Sequence, residues 1–371
     1  MKSIFAILIL ILTAGGFSLP EVSRDQPERG EWDFSLQRIW RLDEAAGAPF
    51  GEIQRIIIPT EGRVVIQDQK QYRLYVVDGE TGRVLHAFGK QGEGPGEIRR
   101  MQGVLSFPGG LVVPERGRLH FFDMSGAFKR SEIIPPEIVP RAFIDEDTIV
   151  SAPVLPREDG EGNETVSIYR ISTKKTRPIA TYKAFAEGKA SENSGGNVMT
   201  IGIVVGGLTP MMEISVHDGI IYYGRNDLYR ISRVTLDGRE NPPFGISGRD
   251  RAPVSMKYKK SIFDGIGADI PPRMLEKILN GLPDQCTAWS RMVVDSRGMI
   301  HVIGADLEKT NQVGMDLFSP DGKYLYHGVF SVPAGETIQA MALKDQRLVL
   351  AVEDEDGELR VEGFRISLPP M

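Results

Sequence analysis

Two stretches, RAFIDEDTIV and RMVVDSRGMIHV, share one order: an arginine, three residues able to lie in a strand, an aspartate, a tight turn and a second strand. They set Arg141 four residues before Asp145 and Arg291 four before Asp295. The same interval separates Arg55 from Pro59 in RIIIPTEGRVVI, Gln102 from Ser106 in QGVLSFPGGLVV, and Glu213 from His217 in EISVHDGIIYY. Three guanidiniums brought to one cavity would draw a carboxylate, phosphate or sulfate through charge-assisted, bidentate hydrogen bonds. Alternatively, each arginine pairs with a carboxylate of its own or a neighbouring unit and ties the structure together. Either role requires an architecture that gathers residues lying far apart in the chain.

The elements available for this gathering are short. RVVIQD, RLYVVD, RVLHAF, GLVVPE, RLHFFD, TVSIYRI, GIIYYG, MIHVIG, RLVLAV and LRVEGFRI are six to eight residues long and rich in Val, Ile, Tyr and Phe. Gly, Asp, Asn or Pro turns bound them, which is an all-β pattern. A sixth unit, QAMALKDQRLVLAV, repeats the strand and turn without an obvious polar leader. After these openings, RLYVVDGETGRVLHAF, RLHFFDMSGAFKR, YRISRVTLDGRE and GMDLFSPDGKYLYH run strand, glycine turn, strand, like the outer hairpin of a four-stranded sheet. Units starting roughly 40 to 50 residues apart, with insertions in the third to fifth, have the period of propeller blades. The expected fold is a six-bladed β-propeller with four-stranded antiparallel blades over residues 36–371. LQRIWRL, Leu36 to Leu42, should pair with the last blade's three strands and leave no sheet edge open.

Two regions interrupt the pattern. LPREDGEGNETV reads as a polar loop. An insertion at about residues 255–283 contains a helix from Pro272 to Asn280, with a proline near its start, Gly281 at its stop, and Met274, Leu275, Ile278 and Leu279 on one face. It should cover one face of the disc as a lid or docking element. Innermost strands of a propeller line its channel, so Arg55, Gln102, Arg141, Glu213 and Arg291 are expected to form a polar ring.

VVDSRGMIHV, Val293 to Val302, together with FGKQGEGPGEI, Phe88 to Ile98, resembles the NHL-repeat type of six-bladed propeller, including exported bacterial ones. The resemblance implies that the Gly-Pro-Gly segment follows a blade's outermost strand and leads into the next blade. The residues themselves argue against a phosphate cradle. Gln91 follows Lys90, Pro95 removes a backbone N–H, and a strand rather than a helix comes next. Such a fold hosts many activities. Related six-bladed lactonases and hydrolases hold a channel metal with Glu, Asn and Asp, which by resemblance makes Glu213 a ligand position in an alternative reading as a metal-dependent hydrolase or lyase. Amidating lyases of the NHL type depend on channel histidines, and here His217 alone lies near an expected innermost strand. The preferred expectation is a binding module for a protein, peptide or glycan, with an anionic group in the channel, no catalytic residue and no cofactor.

Composition narrows the setting. The 371 residues are 41% hydrophobic and 25% charged, as in globular proteins, and the net charge of −6 argues against a nucleic-acid partner. MKSIFAILILILTAGG has Lys2, an apolar run and then small residues, the pattern of a signal peptide over residues 1–16, with a leader at 17–35. Export to the periplasm or beyond follows, without stable membrane insertion once the segment is cleaved. Cys286 is the sole cysteine, so no intrachain disulfide forms, and no neighbouring histidine activates it. His86, His120, His301 and His327 sit in strand patterns without metal-site spacing. LDEAAGAPFGEI, FSPDGKYL and EDEDGELR lack the alternating ligands of a calcium loop and are expected to be turns. Trp289, two residues before Arg291, is expected to pack rather than line the channel.

Overall fold

Each of the ten strand-like stretches forms a strand, and the strands assemble into six four-stranded antiparallel blades around a channel. The computed structural model describes residues 26–33, 35–59, 62–153, 163–183, 189–194, 197–202, 206–264 and 270–369. The expected signal peptide and most of the polar loop lie outside the described residues.

From the axis outwards, blade 1 comprises Ile53–Ile57, Arg63–Asp68, Arg73–Asp78 and Val84–Phe88, and blade 2 comprises Leu105–Phe107, Gly110–Glu115, Arg118–Asp123 and Phe128–Ile133. Blade 3 is Pro140–Phe143, Thr148–Ser151, Asn163–Arg170 and Lys175–Lys183; blade 4 is Met212–His217, Ile220–Arg225, Arg230–Thr235 and Glu240–Gly245. Blade 5 is Arg291–Val294, Ile300–Ile303, Gln312–Phe318 and Tyr324–Ser331. Blade 6 takes Thr337–Lys344, Arg347–Glu353 and Leu359–Ile366 from the end of the chain and Leu36–Leu42 from its start.

Middle strands are apolar on both faces because each blade is sandwiched between two others, so Val64, Val65 and Ile66 in blade 1 are all fully buried. A hydrophobic cluster fills every blade-to-blade interface. Trp289 is fully buried between blades 4 and 5, its indole N–H donating to the Leu228 carbonyl at 2.9 Å, as its expected packing role requires.

Ring closure follows the expected register, with Leu36 opposite Ile366 and Leu42 opposite Val361. Trp40 locks it, donating from Nε1 to the Gly79 carbonyl of blade 1 at 2.8 Å and packing among Phe50, Tyr75 and Val361. Its ring lies so close over Gly363 that a Cβ there would stand 2.1 Å from Trp40 Cε2. The preceding residues also join the fold. Glu31–Trp32 adds a parallel strand to the rim of blade 5, a two-residue element too short for periodicity to reveal.

The Phe88 to Ile98 segment links the rim of blade 1 to blade 2 as a closed loop. The Ile98 N–H donates to the Lys90 carbonyl at 2.9 Å, and the Glu97 carboxylate takes the Gly94 N–H at 2.9 Å. Gly96, at φ +78°, packs against Phe128, a conformation and an approach that suit glycine.

Between blades 4 and 5 the insertion holds two helices, α1 (Met256–Ser261) and α2 (Pro272–Gly281). Helix α2 ends one residue beyond expectation and buries Met274, Ile278 and Leu279. Helix α1 was not expected, since fewer than two turns carry too little periodicity to read. Ser255 caps it by accepting the Tyr258 N–H at 3.1 Å. The neck is pinned by backbone bonds from Val254 to Asp284 and from Cys286 to Ala252.

Trp40→Ala is expected to cost about 3–5 kcal/mol, the range for emptying a buried aromatic site. Gly363→Ala should also destabilise, by driving a methyl into the same indole. Urea unfolding monitored by circular dichroism checks both; wild-type midpoints would refute this closure.

Candidate functional site in the central channel

In blades 3 and 5 the interval of four residues has a local physical basis in the turn that ends the innermost strand. Asp145 accepts the Asp147 N–H at 2.8 Å and the Thr148 hydroxyl at 3.1 Å; Asp295 accepts the Arg297 and Met299 N–H groups, each at 2.9 Å. These bonds fix the hairpin and with it the strand residues upstream. By the same interval the sixth position is Met341, four before Asp345.

All five polar positions, with Met341, line one cavity of about 1500 Å³. The arginines occupy alternate blades and lean toward the next blade in the ring. Arg141 of blade 3 donates to the Met212 carbonyl of blade 4 at 2.5 Å and stands 3.6 Å from the Glu213 carboxylate. Arg291 of blade 5 donates to the Met341 carbonyl of blade 6 at 2.8 Å. Arg55 of blade 1 lies over Gly103 of the segment entering blade 2, where a Cβ would come 3.8 Å from its Cζ. Among the described residues, Arg55 makes no hydrogen bond or ion pair. Gln102 is exposed and likewise unbonded among them.

At the ring positions three guanidiniums thus face one carboxylate, Glu213, while Glu115, Asp250 and Asp306 line the cavity elsewhere. Burial first, then the charges of Arg291 and Arg141, lower the Arg55 pKa to about 10, against the pull of Glu213. It stays protonated at neutral pH, but burial and repulsion without a bonded acceptor are an electrostatic cost. An oxyanion with two acceptor oxygens would relieve it.

The cavity opens on the face formed by the blade-to-blade segments and the insertion, where Gly206, Ala252 and Tyr258 contribute to its wall. Past the arginines the wall turns aliphatic, with Ile57, Leu105, Val293 and Leu343.

No family model matches the chain, and no curated protein matches it in sequence. Solved structures do. A DUF4221 family member from Bacteroides vulgatus superposes with a TM-score of 0.55 at 11% identity, covering 91% of this chain and 99% of the other. A candidate exported protein of Bacteroides fragilis gives 0.51 at 14% identity, covering 92% and 99%. What is shared at these identities is the fold.

Other titratable clusters are internally satisfied. Asp316, buried between blades 4 and 5, accepts from the Tyr229 hydroxyl at 2.5 Å, the Tyr324 hydroxyl at 2.7 Å, Arg249 at 2.6 Å and His327 Nδ1 at 2.8 Å. Burial acts to raise its pKa, but the His327 bond, the Arg249 charge and the two hydroxyls hold it below the usual carboxylate value. This hub anchors the start of the insertion to blade 5, and nothing in the sequence joins residues so distant. His301 and His120 are buried against Asp295 and Glu115, His86 is exposed, and Cys286 is buried with its thiol pKa raised chiefly by burial. Among the described residues no three His, Cys, Asp or Glu side chains converge as a metal site would need, and Glu213 faces Arg141. No described helix is long and apolar enough to cross a membrane.

Asp295 supplies a pH test. Burial pushes its carboxyl up, but hydrogen bonds from His301, Arg297 and Met299 win and bring it down to about 2. A depressed carboxylate pKa means the stabilisation is complete above the unfolded value near 4, and is lost as pH falls through that value toward about 2. Asp295→Asn should therefore cost about 2 kcal/mol at neutral pH and flatten the loss of stability across that acid window. Urea titrations of both proteins from neutral to acid pH check it; an unchanged acid slope would show that other groups carry the effect.

Proposed function

We propose that the protein is an exported recognition module whose channel mouth takes an anionic group of a protein, peptide or glycan partner docked on the insertion-bearing face. The observation that carries this reading is Arg55: a partly buried guanidinium, repelled by Arg291 and Arg141, with no bonded acceptor among the described residues. Arg291 is held by a backbone carbonyl, which orients a guanidinium without neutralising it, whereas Arg141 is held by a carbonyl and faces Glu213. Gln102 adds an uncommitted amide at the ring. The likeness of Val293 to Val302 and Phe88 to Ile98 to NHL-repeat segments supports kinship with propellers of that type, a scaffold used for binding as well as for catalysis.

Export rests on the charged, apolar and small-residue order of residues 1–16 and on the similar fold of the candidate exported protein from Bacteroides fragilis. Mass spectrometry of the protein recovered from the periplasm or medium should find a chain without that segment. Recovery of intact chain in the cytoplasm alone would count against export.

Thermal melts in phosphate or acetate, at constant ionic strength, test the ring. Saturating anion is expected to raise the wild-type Tm by a few degrees, as any ligand selective for the folded state does. Arg55→Ala should abolish that rise and leave the anion-free protein at least as stable as before, because it removes an unpaired charge that its neighbours repel. A variant that melts early, alongside a wild type indifferent to anions, would make Arg55 structural and end this reading.

A further inference from the structure

We infer that the group taken by the ring is a carboxylate carried on an aliphatic body, an inference that rests on the anion-binding reading above. Side chains two apart on a strand share a face. Two residues beyond Arg55, Arg291 and Met341 stand Ile57, Val293 and Leu343, and all three line the cavity that the arginines line. Leu105 joins them from blade 2. Ile57, Leu105 and Val293 are only partly buried, so apolar surface remains available next to the guanidiniums.

Below a mixed polar mouth, to which Glu115, Asp250, Asp306 and Lys309 also contribute, the wall therefore passes from a collar of guanidiniums to a throat of aliphatic side chains. Ligand pockets commonly combine an apolar lining with a few placed polar groups, the first supplying affinity and the second orientation. Inorganic phosphate or sulfate would engage the collar and gain nothing from the throat. A sugar would bring hydroxyls to a throat of hydrocarbon, and among the described lining residues Tyr258 is the one aromatic side chain on which a ring could lie. A carboxylate with an alkyl body matches both collar and throat: its two oxygens fit the fork of Arg55, and its methylenes displace water from Ile57 and Val293. Two sources present this chemistry, a free aliphatic acid and the C-terminal carboxylate of a chain ending in Leu, Ile or Val.

Calorimetry on the full-length protein separates these cases, using acetate, butanoate, hexanoate, inorganic phosphate, and a short peptide ending in leucine with its C-terminus free or amidated. Affinity should rise about fourfold for each methylene buried along the acid series. Val293→Thr should flatten that rise without changing phosphate binding. Hexanoate binding more tightly than the free-ended peptide would point to a free acid as the source, and a peptide preferred over both hexanoate and its own amide would point to a chain end; both outcomes support the inference. Phosphate and acids binding without dependence on chain length would overturn it and leave the anion reading standing. Binding of no anion at all would overturn both.

Discussion

Closure of the ring is the constraint from which the rest follows. Six blades fanned about an axis define a channel only if the last is joined to the first, and here the joint is the strand Leu36–Leu42 laid against Leu359–Ile366. Trp40 makes this joint more than a ladder of backbone bonds, because its indole reaches blade 1 through the Gly79 carbonyl and sits where Gly363 leaves room for it. Glu31–Trp32, a few residues earlier, grips blade 5. The start of the chain therefore holds the two blades that are made last, and the innermost strands face one another across a fixed gap.

Within that gap the ring arginines are treated unlike the buried carboxylates around them. Asp316 receives four donors, Asp295 receives backbone and side-chain donors, and Glu115 receives the Arg100 N–H as well as His120. A buried charge that is fully bonded stabilises its surroundings or at least costs little, whereas one left unpaired costs several kcal/mol. Arg55 belongs to the second kind, and Arg291 is oriented by a carbonyl that brings no counter-charge. Glu213 pairs with Arg141 across 3.6 Å and only partly offsets the charge of Arg55. Alternation of blades spaces the arginines around the channel, which limits their mutual repulsion but does not remove it.

The fold was legible because its signals are local. Ten short β-branched stretches, their turns and the repeat interval suffice for six blades, and the closing strand follows from the need to cover an edge. The ring was legible for a related reason: the distance from Arg55, Arg141 and Arg291 to the next turn is held at four residues even where the ladder is irregular. Register shifts occur in the inner hairpins of blades 1, 3 and 6, so Arg55 pairs opposite Gln67 while Arg141 falls within the irregularity. Such a shift could have turned a side chain to the wrong face. What sequence could not supply were contacts between distant segments: Tyr229, Arg249 and His327 meeting on Asp316, or the Met341 carbonyl serving Arg291, since a backbone acceptor leaves no mark in residue type. Helix α1 and Glu31–Trp32 escaped because each is shorter than the period that would reveal it.

The channel residues also differ from the core in what the fold asks of them. Replacing Trp40, Trp289 or Val65 disturbs packing that the ring needs, because these side chains are enclosed on all sides. Gln102 is exposed and Arg55 is without a bonded partner among the described residues, so the propeller would stand with smaller neutral groups at both places. Structures alike in fold at 11% and 14% identity illustrate how little the architecture dictates residue choice. Positions free of packing duty are where a propeller can place chemistry without endangering its stability. A desolvated cation at such a position has an energetic cost in the free protein that an incoming anion removes, and that difference between free and occupied states is the physical form a binding site takes.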